Sequence, residues 1–420
     1  MMNPEQPLVV SPFAHPLYVM AKPVGARCNL ACSYCYYLEK GGMYGDGGPG
    51  VMTDDLLELF IKQYMACQTQ REVLFTWHGG EPMLRPLSFY RRVVELQRKH
   101  AGGHVVDNSI QTNGTLLTEE WCRFLKDNNW LVGVSLDGPQ WMHDRHRRDR
   151  RGEGTFQKVM RGVELLDRHG VAWNAMAVVN SHNADHPREF YHFFRSIGCH
   201  FIQFTPVVER VCANLSPPLH ALPPNGEMAV TAETVNPRQW GEFLCTVFDE
   251  WVAHDVGECF VQLFDATLAN WVGVEPGVCS MAAFCGNALA MEHNGDVFSC
   301  DHFVFPEYRL GNIHHEPLAS MAYGEQQNGF RRLKQQLTEQ CRQCRFEFAC
   351  HGECPKNRLL RTSDGEAGLN YLCEGYRRFF AHAAPYMDFM AREWREEGGS
   401  PARVMEAVAK GLFSRQGPVG

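Results

Sequence analysis

The stretch Leu17–Cys35, LYVMAKPVGARCNLACSYC, decides the fold. Leu17–Lys22 is a short apolar run of strand character, and it leads into three cysteines spaced Cys28-x3-Cys32-x2-Cys35. Parallel α/β sheets build their sites beyond the carboxyl ends of their strands, so a ligand-rich loop directly after a first strand has a structural meaning. Working outward, further strands are expected at Val73–Trp77, Asn108–Gln111, Leu131–Ser135, Trp173–Val179 and Phe201–Pro206. Helical patterns separate them. Thr155 is placed to cap a helix carrying Phe156, Val159, Val163 and Leu166 at helical spacing, with Gly170 as its stop. Asp54 precedes a similar stretch with Leu57, Phe60, Ile61 and Tyr64. Strand–helix alternation argues for a parallel sheet with right-handed crossovers. Six such units are too few to close an eight-stranded barrel, so the expected fold is a partial (β/α)6 barrel.

The strand ends share one chemistry. HGGEP (His78–Pro82) follows the second strand, QTNG (Gln111–Gly114) the third and SLDGP (Ser135–Pro139) the fourth. Asn180 ends the fifth strand, and the sixth runs into Thr205–Val208. Ordinary turn chemistry explains any one of these. It explains less well the whole set on one rim, with three cysteines at its first turn.

Composition narrows the function classes. The 420 residues are 45% apolar and 21% charged, which excludes disordered and fibrous architectures. A net charge of −8 without a basic run is a poor match to nucleic acid. No apolar stretch is long enough to span a membrane. The N-terminus has an acidic residue and prolines where an export signal needs basic and apolar segments, so a cytoplasmic location is expected.

Seventeen cysteines in such a chain are not a disulfide framework. Cys67, Cys122, Cys199, Cys212, Cys245 and Cys259 stand singly and read as small buried apolar residues. The other eleven are grouped, and grouping calls for metal. The first three fit either a zinc loop that borrows a distant fourth ligand or a four-iron cluster with one iron open. The late string runs Cys279-x5-Cys285-x14-Cys300, then Cys341-x2-Cys344-x5-Cys350-x3-Cys354-x18-Cys373. Eight thiols make two sets of four, which suit zinc or iron–sulfur alike by ligand type. A protein with zinc in those sets and no catalysis is the rival of a different class.

The first loop, with Tyr34 before its third cysteine and HGGEP after the next strand, resembles the radical S-adenosylmethionine superfamily. The resemblance implies a [4Fe-4S] cluster on Cys28, Cys32 and Cys35 whose open iron chelates S-adenosylmethionine, and a 5′-deoxyadenosyl radical as oxidant. It carries cofactor contact onto Tyr34, Gly80, Ser135, Arg147 and Val208, with Gly80 near the methionine amino group and Val208 offering backbone to the adenine. The late cysteines, with Gly295 before Cys300, resemble the SPASM extension. That pattern assigns Cys279, Cys285, Cys300 and Cys354 to one auxiliary [4Fe-4S] cluster, and Cys341, Cys344, Cys350 and Cys373 to another. It implies three clusters in all.

Nearly the whole chain, through FTWHGGEP, QTNGTLL, SLDGP, CDHF (Cys300–Phe303), ACHGECPKNR and LNYLC, resembles the anaerobic sulfatase-maturating enzymes. The implied activity is oxidation of a sulfatase cysteine, or serine, to Cα-formylglycine, with Asp301 as general base. The implied partners are an unfolded sulfatase segment of CxPxR type and a low-potential donor of flavodoxin or ferredoxin type. A maturase forming thioether or carbon–carbon links in a peptide is the rival of the same chemistry. The expected organisation is a barrel at 14–236, a helical link at 237–274, a two-cluster domain at 275–376 and a helical tail at 377–420.

Overall fold

Six strands form at the apolar runs: β1 Tyr18–Ala21, β2 Glu72–Trp77, β3 Val105–Thr112, β4 Leu131–Ser135, β5 Trp173–Val179 and β6 Phe201–Pro206. They belong to a computed structural model that describes residues 17–43, 50–211, 229–396 and 398–413. Within these strands every second side chain is buried toward the helices, as in Val73, Phe75 and Trp77 or Ala175, Ala177 and Val179. Four further strands are β7 Phe260–Val261, β8 Ala288–Met291, β9 Asp296–Phe298 and β10 Arg309–Asn312. All ten make one sheet, ordered β10-β9-β8-β1-β2-β3-β4-β5-β6-β7. Pairing is parallel from β8 through β1 to β7, and antiparallel among β8, β9 and β10. The sheet is therefore an open barrel of parallel strands with a three-stranded extension.

That extension lies beyond the boundary expected at residue 275. β8 pairs along the whole of β1, Tyr18 against Ala288 through Ala21 against Met291, so one sheet carries strands from both sides of the boundary. The expected start at residue 14, the end of the tail at 414–420 and residues 212–228, with Cys212 among them, lie outside the described residues.

Helix ends show where local rules held. The helix Asp54–Ala66 is capped by Thr53, whose side chain accepts from the Leu56 amide, so the cap lies one residue before the expected Asp54. The helix Phe156–His169 ends at Gly170 with φ 61°, and Thr155 stands at its N-cap. The Thr155 hydroxyl makes no cap bond, because it donates to the Arg147 carbonyl at 2.8 Å. Asp144 accepts from the Phe156 amide at 2.8 Å in its place.

The long helix Cys373–Arg395 packs against the helix Pro237–His254. Gly375 sits at the crossing, where a Cβ would lie 2.3 Å from the Pro237 carbonyl oxygen. Phe248, Phe264 and Phe379 pack ring against ring beside it. Among the described residues no helix is long and apolar enough to cross a membrane.

Candidate active site

The cysteine loop after β1 is tied down from two sides. From the end of β3, Asn113 donates to the Asn29 side chain at 2.8 Å, and Asn29 donates to Thr115 at 2.9 Å. From the segment after β4, Ala31 and Ser33 donate their amides to the Arg148 and His146 carbonyls. The Leu30 amide, 3.3 Å from the Cys28 sulfur, and the Asn113 amide group, at 3.8 Å, donate toward that thiol. Burial pushes the Cys28 thiol up to about 11 and the Cys32 thiol up to about 12, with Arg147 opposing the second shift. Both thiols interact electrostatically with Cys35.

The HGGEP turn lies on this loop. A Cβ on Gly80 would meet the Arg27 carbonyl oxygen at 2.2 Å, and one on Gly79, at φ 127°, would meet the Gly25 carbonyl oxygen at 2.8 Å. Only glycine allows that approach. The Gly80 amide donates to Gly25, so what Gly80 leaves for a ligand is its carbonyl. Glu81, offered by the sequence only as the glutamate of HGGEP, is buried and accepts from the amides of Met83 and Asn113 and the hydroxyl of Thr112. It ties the second turn to the third.

Ser135 ends β4 and accepts from the Gln111 side chain at 3.1 Å. Gly133 makes room for that amide, since its Cβ would fall 2.0 Å from the Gln111 oxygen. Arg147 does not stand free as a solvated arginine. Its Nε and Nη2 donate to the two oxygens of Asp137 at 2.9 and 3.0 Å, and both residues are buried. Tyr34 donates its hydroxyl to the same carboxylate, and the Val178 amide donates at 2.9 Å. Burial opposes charge on Asp137, but Arg147 prevails and holds its carboxyl below the usual range. Asp137 therefore joins two expected contact residues to β5, a role the sequence offered only as the aspartate of SLDGP. Val208 is buried, and its carbonyl accepts from Lys356 at 3.1 Å. Lys356 also pairs with Glu209 at 2.5 Å, linking the residues after Cys354 to the end of β6.

Asp301 follows Cys300 and lies at the end of β1. Its Oδ1 pairs with the Lys22 ammonium, and its Oδ2 accepts from the Tyr36 hydroxyl at 2.5 Å. Lys22 is fully buried, 3.5 Å from the Tyr37 ring centre and 3.7 Å from Glu292, which extends from the end of β8. Tyr37 donates its hydroxyl to Glu292. Burial would raise the Asp301 carboxyl, yet Lys22, His78 and His302 hold it far below the usual carboxylate range. Burial, with Lys356, pushes His302 down to about 4, so near neutral pH the carboxylate is charged and this imidazole is not. Lys22, Tyr36, Tyr37 and Glu292 were missed from sequence. The only local signal was a lysine ending an apolar strand and two tyrosines after the third cysteine.

The late thiols fall into two neighbourhoods. Cys300 interacts with Cys279 and Cys354, and Cys354 with Cys279 and Cys285. Cys350 interacts with Cys373 and Cys341, and Cys373 with Cys341 and Cys344. All eleven grouped cysteines are free thiols. Among the described residues no three His, Cys, Asp or Glu side chains converge as a single-ion site. Three, four and four free thiols, many pushed upward by burial as thiols, have the donor chemistry of three four-iron clusters.

Two family signatures match: the Radical SAM superfamily over residues 23–194, and the SPASM iron-sulfur cluster-binding domain over residues 284–345. A serine-type anaerobic sulfatase-maturating enzyme of Bacteroides thetaiotaomicron is 58% identical, over 96% of this chain and 97% of that one. A cysteine-type anaerobic sulfatase-maturating enzyme of Clostridium perfringens is 32% identical, over 88% of this chain and 97% of that one. The solved structure of native anSMEcpe with bound AdoMet and Cp18Cys peptide superposes with a TM-score of 0.80 at 31% identity. It covers 90% of this chain and 99% of that one.

Proposed function

The chain belongs to the anaerobic sulfatase-maturating enzymes of the radical S-adenosylmethionine superfamily, and from that premise we propose that it oxidises a serine of an unfolded sulfatase segment to Cα-formylglycine. The sequence alone put cysteine first. Identity of 58% to a serine-type relative, against 32% to a cysteine-type one, favours the reverse order.

When bound, the [4Fe-4S] clusters and S-adenosylmethionine supply a radical that removes one Cβ hydrogen and an acceptor for the remaining electron. The chain's own residues do the rest. Cys28, Cys32 and Cys35 would hold the first cluster. Cys279, Cys285, Cys300 and Cys354 would hold one auxiliary cluster, and Cys341, Cys344, Cys350 and Cys373 the other. Around the cofactor, Tyr34 and Arg147 are fixed through Asp137, Ser135 is oriented by Gln111, and Gly80 and Val208 offer backbone. Asp301 would take the substrate hydroxyl proton at a carboxylate oxygen. A carboxylate held so low is a weak base, which suits a hydroxyl made acidic by oxidation at its own carbon. The observation that carries the reading is Asp301, ionised between Lys22 and Tyr36 and adjacent to Cys300.

The substrate segment would carry a CxPxR-type motif with serine or cysteine first, the reductant would be of flavodoxin or ferredoxin type, and the reaction would run in the cytoplasm. The test is anaerobic turnover of two synthetic peptides, Ser-x-Pro-x-Arg and Cys-x-Pro-x-Arg, followed by mass spectrometry. The serine peptide should lose two hydrogens. Cofactor cleavage with both peptides unaltered, or an internal cross-link, would overturn the proposal in favour of the peptide-linking rival.

A further inference from the structure

Two cations are buried among the late cysteines with no carboxylate in salt-bridge contact. Lys334 is 1% exposed, and its ammonium donates to the carbonyls of Cys279 and Ser280, the second at 2.7 Å. Arg358 is 7% exposed, and its guanidinium donates to five carbonyls. Those of Leu333, Lys334 and Gln336 lie at 3.1, 2.7 and 2.9 Å, and those of His351 and Gly352 at 3.4 and 3.2 Å. Among the described residues neither cation makes a salt bridge. The two are joined, because Arg358 donates to the Lys334 carbonyl.

The surrounding loop is shaped to admit the guanidinium. His351, Gly352 and Glu353 take positive φ of 48°, 68° and 49° in succession, between Cys350 and Cys354. A Cβ on Gly352 would lie 2.8 Å from Arg358 Nη2. Glu353, the one buried carboxylate in this loop, is turned to Asn357 and Asn370 at 3.0 and 2.6 Å. Glu353 acts on both cations from beyond salt-bridge distance, so one carboxylate serves two buried cations, and a buried charge short of counter-charge is too costly to be incidental. Thiolate-ligated clusters are anionic, and the sulfurs of Cys341, Cys354 and Cys285, as thiolates, favour the charged form of Arg358 against its burial, ahead of Glu353.

We propose that Lys334 and Arg358 are the buried counter-charges of the two auxiliary clusters and raise both reduction potentials, making the pair better acceptors of the substrate electron. Lys334 touches the backbone of Cys279 alone among the ligands, so it acts on the cluster of Cys279, Cys285, Cys300 and Cys354. Arg358 grips His351–Gly352, which run between a ligand of each cluster, so it acts on both. Net charge and hydrogen bonding are established levers on cluster potential. The inference rests on the proposed cluster assignment, and its test separates the two.

The experiment is a redox titration, followed by electron paramagnetic resonance, of the full-length reconstituted protein. S-adenosylmethionine is added to set apart the N-terminal cluster's signal, and iron is counted in each sample. Arg358→Met should shift both auxiliary potentials downward, and Lys334→Met one of them. Arg358→Lys should stay near wild type, as should Arg342→Met at a half-exposed arginine paired with Glu339. Unchanged potentials in Arg358→Met and Lys334→Met at full iron content would overturn the proposal. So would loss of auxiliary iron in both variants, which would make them assembly residues. Wild-type protein with four irons would instead sink the cluster assignment itself.

Discussion

Replacing Lys22 by methionine keeps the side chain's length and removes the ammonium that pairs with Asp301. The lysine is fully buried and the aspartate side chain 14% exposed, so solvent screens the pair weakly. Removing one partner of a buried pair costs about 3–5 kcal/mol, because the other is left charged and unpaired. The lower end applies, since Asp301 keeps its bond from Tyr36. Glu292 loses the same ammonium at 3.7 Å, and Tyr37 loses the cation above its ring. We therefore expect Lys22→Met to destabilise the protein by about 3 kcal/mol, read from anaerobic urea denaturation. Lys22→Met/Asp301→Asn removes the orphaned charge as well. It should recover part of the loss, with a coupling of about 1–3 kcal/mol. Formylglycine formed per 5′-deoxyadenosine should also fall in Lys22→Met, because the carboxylate loses the partner that fixes its position. Wild-type stability with a wild-type product ratio would refute the reasoning. Strictly additive single and double variants would show that the two residues do not act together.

Asp301→Asn should leave cofactor cleavage intact and lower formylglycine formation by about 10²–10⁴-fold, as loss of a general base does; product at the wild-type rate would end that role. In the wild type the carboxyl lies far below the working range, so lowering pH from 8 to 6 protonates nothing at Asp301. The ratio of product to 5′-deoxyadenosine should then stay flat across that interval. Cys28→Ala/Cys32→Ala/Cys35→Ala should remove about a third of some twelve irons and abolish cofactor cleavage, checked by iron analysis and chromatography of 5′-deoxyadenosine. Gly80→Ala must displace the Arg27 backbone it would strike at 2.2 Å, so cofactor affinity in equilibrium dialysis should drop while the auxiliary iron stays.

The six expected strands were legible because each is an apolar run closed by a polar or glycine-bearing turn, and such a pattern is local. β3 begins at Val105 rather than Asn108, since the alternation of Val106, Asn108 and Ile110 runs further back than the apolar character suggests. Strand β7 was not legible. It has two residues, and its pairing depends on Phe201 stacking on Phe260. Nor were the three strands that extend the sheet past β1: the partner of β8 lies hundreds of residues away in the chain, and the short β9 and β10 build on β8. The same distinction separates the site residues. Cysteine spacing, Tyr34 and the HGGEP turn are local signatures. Asp137 shows only when Tyr34, Arg147 and Val178 are seen to converge on it, and Lys22 only when β8 is seen beside β1.

That pairing of β8 with β1 joins the two halves of the chemistry. β1 is followed by Lys22 and leads into the loop of Cys28, Cys32 and Cys35, while β8 is followed by Glu292 and leads through β9 to Cys300 and Asp301. Parallel strands side by side bring the loops at their carboxyl ends to the same rim. The Cys28–Cys35 loop and the Cys300 segment are therefore fixed relative to each other by backbone hydrogen bonds. Tyr36 follows Cys35 directly and donates to Asp301, which follows Cys300 directly, so one hydrogen bond spans the gap between the two ligand sets. On the proposed assignment of Asp301 and the cysteine sets, a substrate carbon held there would have the hydrogen-abstracting side, the base and the electron-accepting side within one rigid frame. Lys356, reaching from beside Cys354 to Val208 at the end of β6, closes the frame from the opposite edge. A reaction that must remove a hydrogen atom, a proton and an electron from one side chain needs all three acceptors held in register, and a continuous sheet meets that need where a flexible domain junction would not.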